Sequence, residues 1–119
     1  MTWAELHRQS EVLAADAELA AKAGDAERAE LLYAQAADRE EQALEKVQPA
    51  KARTLGITAV SAAALWYKAK RFDRAARLAQ DYLERVPLFA RDQLAELTLR
   101  LAEPVRIRTG APPRRVDVA

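Results

Sequence analysis

The 119-residue chain has no cysteine and a single histidine, His7. The first absence excludes disulfides and thiolate metal sites, and the second leaves no protein-only zinc cluster of the usual kind. Glycine and proline are scarce, with three and five residues, so turns are few and the chain must run in long regular segments. Large aromatics are few as well: two Phe, three Tyr and two Trp. No window approaches roughly eighteen uncharged apolar residues, so no membrane-spanning segment is expected. The opening stretch MTWAELHRQSE carries acidic residues where a secretory signal would be basic, and no apolar run follows it. A cytoplasmic protein is the expectation. Phosphate-binding loops and dinucleotide fingerprints are missing, and no cofactor or metal is expected.

What the chain does have is alanine, 28 residues of it, within a composition that is 50% apolar. Alanine is the best helix former and lets helix axes approach closely, although it buries little area. An all-α domain of a few long helices follows, one domain by size. The net charge of +1 conceals a split. Residues 1–48 hold five basic and eleven acidic side chains, a balance of −6, and residues 49–119 hold fourteen and seven, a balance of +7. Such a split favours head-to-tail or two-fold self-association, or a partner with one strongly charged face. The plain alternative is that both sets are solvated helix faces.

Thr2 with Glu5 has capping-box spacing and predicts a helix over 3–22, with Trp3, Leu6, Leu13 and Ala17 on its apolar side. Trp3 is expected to act as a cap or staple on the second helix. Gly24-Asp25 ends the first helix and caps the next. That second helix should run over 26–47, antiparallel to the first because the linker is so short. Its centre, Asp38-Arg39-Glu40-Glu41, reads as exposed on most sides. Pro49 opens a third helix over about 50–69, in which Gly56 marks a close crossing with a neighbour. Lys68-Ala69-Lys70-Arg71 forms a turn, and a fourth helix over 72–85 ends at Pro87. The fifth, 88–102, is apolar on more than one side, as suits a helix that covers the end of a stack or sits in an interface. Beyond Pro104, Val105, Ile107 and Thr109 alternate with Arg106 and Arg108 in strand fashion. One or two strands are not stable alone, so residues 104–119 form an extended basic tail, disordered or docked on something such as the same tail of a second subunit. Residues 1–103 form the helical domain.

Two segments superimpose at an offset of 46 residues: AAKAGDAERAELLYAQAADR from residue 20 and WYKAKRFDRAARLAQDYLER from residue 66. Self-similarity of this kind signals a helical repeat. Over residues 10–87 the chain resembles the tetratricopeptide repeat family. In the second unit Ala63 stands for its small residue, Trp66 for its aromatic, Phe72 for the aromatic after the turn, Ala75 for its first alanine and Pro87 for its terminating proline. In the first, Ala29, Tyr33 and Ala36 agree well, while Ala17 and Ala20 take the small and aromatic positions. Ala79 and Tyr82 exchange large for small, and the offset exceeds the family's period of about 34 residues. The resemblance implies antiparallel hairpins stacked as a short right-handed array, five helices plus the tail, which binds protein or peptide on its concave side. Carried over by position, that surface holds Glu11, Glu18 and Lys22 in the first unit and Ile57, Val60, Ala64, Tyr67 and Lys68 in the second. The asparagine and paired basic residues of members that capture C-terminal carboxylates are absent.

Catalysis needs a poised nucleophile, acid or base and a device that stabilises developing charge. Ser10 and Ser61 are the only serines, and no glycine-rich turn accompanies either. Glu27/Glu30 and Glu41/Glu45 have helical spacing, but without a Glu-x-x-His segment they do not form a di-iron set, and they read as solvated faces. No enzyme is expected. Adjacent Trp66 and Tyr67 point about 100° apart on a helix: Trp66 takes the internal position, while Tyr67 either joins it or meets a partner. The expectation is therefore a small association module, binding another protein or itself as a homodimer or larger homo-oligomer. The rival of a different class is nucleic-acid binding by Lys70, Arg71, Arg74, Arg77, Arg106 and Arg108. It lacks a base-reading motif, and the acidic first half opposes it.

Overall fold

A computed structural model of the chain describes residues 1–102. It is all-helical: α1 (Trp3–Lys22), α2 (Ala26–Glu45), α3 (Ala52–Lys68), α4 (Phe72–Tyr82) and α5 (Leu88–Leu101). The expected tail, with its alternating Val105–Thr109 stretch, lies outside the described residues. Each helix packs against its successor, α3 also packs against α5, and α1 packs mainly on α2. The described chain measures 50 × 32 × 19 Å, with α1 and α5 at opposite ends of the series. None of the described helices is long and apolar enough to cross a membrane.

Local chemistry sets the first two helix starts. The Thr2 hydroxyl accepts from Glu5 N at 3.2 Å while Glu5 Oε1 accepts from Thr2 N at 3.2 Å, the reciprocal capping box. Asp25 Oδ1 accepts from Arg28 N at 3.1 Å and starts α2. Gly24 adopts the left-handed conformation, φ +83°, in the turn between them. The third helix begins later than Pro49 suggests. Lys51 N donates to Gln48 O at 2.9 Å, so Pro49 and Ala50 sit in a turn and α3 starts at Ala52. At the far side, α4 stops at Tyr82, well short of residue 85. A turn with Arg85 N on Tyr82 O follows, because the residue before Pro87 is steered away from helical geometry.

The main core gathers around α3, where Leu55, Ala59, Ala63 and Trp66 meet Leu44 of α2, Leu78 of α4 and Leu94 of α5. A smaller cluster of Ala17, Ala20, Ala29 and Leu32 fills the α1–α2 hairpin. Buried alanine allows these helices to approach closely, and Gly56 carries that furthest. A Cβ there would lie 2.9 Å from Ala90 Cβ and 3.1 Å from both Phe89 and Pro87 side-chain atoms. The glycine thus serves the close α3–α5 crossing that its position in the sequence predicts.

Candidate functional site

Two polar anchors hold the helices in register, and both centre on the stretch expected to be solvated. On α2, Ala36, Glu40 and Leu44 fall at i, i+4 and i+8, so Glu40 lies on the buried stripe. It is 0% exposed. His7 of α1 donates from Nδ1 to its two oxygens at 2.9 and 3.1 Å, which meets the several kcal/mol that an unpaired buried carboxylate would cost, of order ~3. The other imidazole nitrogen, Nε2, lies 3.7 Å from Glu11 Oε2. The ring stacks on Trp3, with centroids 4.8 Å apart and planes within 10°. Trp3 in turn donates from Nε1 to Thr58 Oγ1 of α3 at 3.2 Å. Its polar partner is therefore on the third helix, while the ring borders a cleft with Lys46 and Val47 at the end of α2.

Glu41 is the second correction. It is more than a solvated helix face: its Oε1 accepts from Trp66 Nε1 at 2.7 Å and lies 3.6 Å from an Arg74 guanidinium nitrogen, while the side chain stays partly exposed beside Glu45. The Arg74 guanidinium sits 4.2 Å over the Trp66 ring, a cation–π contact on the α3–α4 hairpin. Trp66 is buried at 4% exposure, the internal position expected of it. In both anchors the polar atoms are turned toward other side chains of the same chain, so the arrangement aligns helices α1 to α4.

The residues marked for partner binding are spread along the helix series, with Glu18 and Lys68 both acting on Tyr33 and Val60 and Ala64 beside α5. Glu11, Glu18 and Lys22 are exposed along α1, and Ile57 is exposed on α3. Val60 and Ala64 line a shallow groove with Gln93, Glu96, Leu97 and Arg100 of α5, away from α1. Tyr67 is half-buried and meets Phe72 edge-on, with centroids 5.4 Å apart, at the α3–α4 joint. Lys68 places Nζ 5.7 Å over the Tyr33 ring in a cleft shared with Ala21 and Gly24. Burial pushes the Tyr33 hydroxyl pKa up, and the negative charge of Glu18 adds to it.

The basic set is largely engaged within the chain. Lys70 Nζ lies 3.6 Å from Glu30 Oε2, Arg71 donates to Ala69 O at 3.2 Å, and Arg74 is held by Glu41 and Trp66. Arg77 faces a groove of about 410 Å³ between α2 and α4. That groove balances Arg74, Arg77 and Arg85 against Glu41, Glu45 and Asp81, and so has no net charge to attract phosphate. Arg106 and Arg108 lie outside the described residues. Among the described residues, no three His, Asp or Glu side chains are placed to hold a metal ion.

The remaining feature is apolar exposure, present at Leu31 of α2 and Ile57 of α3 and greatest at the two ends. Val12 and Leu19 on α1 are 57% and 65% exposed, and Leu88 and Leu99 on α5 are 67% and 72% exposed. The pair on α5 fits the helix expected to be apolar on more than one side. The pair on α1 is not part of the main apolar face, and its signal is a spacing of seven residues off that face. Compared with family models, with curated proteins and with solved structures, the chain matches none.

Proposed function

We propose that this chain is a protein-association module, a short tetratricopeptide-repeat-like array with no reaction of its own, which binds polypeptide, itself included, through helix faces. The observation that carries the reading is the exposure of Val12, Leu19, Leu88 and Leu99 at the two ends of the helix series. Each such side chain gains about 1.5–3 kcal/mol when fully buried, a gain the folded chain leaves to a partner. The polar groups of the interior are spent on one another, His7 with Glu40 and Glu41 with Trp66 and Arg74. The groove over Val60 and Ala64 offers a second, shallower contact surface.

Light scattering across a wide concentration range tests this. A mass rising above the 13.2 kDa of one chain is expected. A chain that stays monomeric throughout, yet binds unrelated DNA or RNA with strong salt dependence, would transfer the reading to nucleic-acid binding by the basic second half of the chain.

A further inference from the structure

We propose that the chain assembles head to tail, the outward face of α1 in one copy seating on the outward face of α5 in the next. The inference rests on the reading as an association module and adds the partner and the geometry. Along α1, Arg8, Val12, Ala15 and Leu19 fall at i, i+4, i+7 and i+11. They form one stripe turned away from buried Leu6, Ser10, Ala17 and Ala20. Along α5, Leu88, Asp92, Ala95 and Leu99 repeat that spacing, turned away from buried Ala90 and Leu94. All eight stripe residues are exposed. The stripes match in length and sit at opposite ends of the series, so each end of one copy presents what the other end of the next requires.

Charge separates this pairing from the two symmetric ones. The α1 stripe has acidic rims on both sides, Glu11 and Glu18 on one and Glu5 and Asp16 on the other, all exposed. Two α1 faces would set these rims against each other. The α5 stripe carries Arg91 on one flank and Arg100 with Glu96 on the other, and Asp92 within it, so its face is balanced where the α1 face is acidic. In an antiparallel seating with Leu19 on Leu88, helical geometry brings Glu18 within one turn of Arg91 and Glu5 within one turn of Arg100, each on the matching side. Two α5 faces paired antiparallel would give Arg91 no carboxylate on its flank. The wider distribution agrees: residues 1–48 carry −6, while residues 49–102 hold ten basic and five acidic side chains. A contact between two different faces leaves one face free at each end of a pair, so further copies add there as an open chain or a closed ring. One pair of short helices is small beside a standard interface of about 1,600 Å², so the assembly is weak, reversible and concentration-dependent.

The test uses the full chain and two variants at exposed positions, Leu19→Glu to disable the α1 face and Leu99→Glu to disable the α5 face, each checked for unchanged helical circular dichroism. Sedimentation velocity is run at concentrations where the unmodified chain exceeds its monomer mass. Each variant alone is expected to be monomeric. Their mixture is expected to form a one-to-one dimer that grows no further, because each variant supplies the one face the other lacks. If Leu19→Glu assembles as the unmodified chain does, the contact is a symmetric α5 pair. If Leu99→Glu does, it is a symmetric α1 pair. Either result, or a mixture that stays monomeric, overturns the head-to-tail contact and leaves self-association standing. An unmodified chain that is monomeric at every concentration removes self-association itself.

Discussion

At the α1–α2 joint, Asp25 N donates to Ala20 O at 2.9 Å and Gly24 N to Ala21 O at 3.0 Å. Forty-six residues on, at the α3–α4 joint, Arg71 N donates to Trp66 O and Lys70 N to Tyr67 O, both at 2.9 Å. The backbone closes both helices in the same way, yet the side chains are chosen by different rules. The first joint has glycine in the left-handed position and an aspartate cap. The second has Lys70 there, φ +60°, and Arg71 at the N-cap without a side-chain cap bond. The same division holds for the helix starts: α1 and α2 are capped by their own side chains, while α3, α4 and α5 are not. The first hairpin is specified locally. The second depends on tertiary contacts, with Trp66 and Glu41 at their centre, to hold a turn its sequence does not favour.

The comparison breaks most sharply at Trp66, whose counterpart forty-six residues earlier is Ala20. Trp66→Ala is expected to cost about 4 kcal/mol, because it empties a core position and frees Glu41 and Arg74 together. Urea unfolding would report it as a lower midpoint, and hydrogen exchange would show α3 and α4 losing protection before α1. A uniform loss across both hairpins would mean that the second is no more dependent on tertiary contacts than the first. Next in size is His7→Phe, which fills the site but leaves buried Glu40 without its donor, at about 3 kcal/mol. The companion His7→Phe/Glu40→Leu, which removes both partners, should recover most of that loss. If it does not, the pair is not what Glu40 needs.

Smaller and opposite in sign are the two joint substitutions. Gly24→Ala should destabilise by about 1 kcal/mol, and Lys70→Gly should stabilise by a comparable amount less the lost Glu30 contact, because only glycine is at ease in the left-handed conformation. A Cβ at Gly24 would meet nothing within 4 Å, so the penalty there is conformational alone and thermal midpoints compare the two joints cleanly. Equal signs would show that backbone preference does not distinguish them.

Much of this division is legible in the amino acids. Thr2 with Glu5, Gly24 with Asp25, and Gly56 each announce a local event, and each event is there. The alanine-rich stripes and the small number of breakers fix five helices with boundaries near those observed. The α2 centre is different. Four charged residues in succession read as solvent, but Glu40 shares a stripe with Ala36 and Leu44, and periodicity decides burial where local charge density does not. Its donor, His7, is thirty-three residues away on another helix, a pairing no local spacing encodes. Trp3 pairs with Thr58 across a still longer gap of fifty-five residues. Likewise, Val60 and Ala64 line a groove with α5, whereas Lys68 lies over Tyr33 near Glu18 of α1, so the marked positions do not all share one groove.

The least of the expected effects concerns the one helix start that titrates. The Thr2 backbone N–H, and then its hydroxyl, hold the Glu5 carboxyl below the ordinary carboxylate pKa. A folded-state pKa lowered in this way adds stability that is present above the unfolded value and is lost as pH falls through the folded one. Glu5 is fully exposed, so the consequence is fraying of the first turn of α1, with the fold intact. Amide exchange at Leu6, whose N–H bonds Thr2 O at 3.1 Å, should quicken in mild acid relative to Ala75, the matching first-turn bond of α4 on Arg71 O. After correction for intrinsic exchange, Glu5→Gln should flatten that difference. Equal pH response at Leu6 and Ala75 would place the control of the α1 start outside its own capping box, and with it the claim that the first hairpin is specified locally.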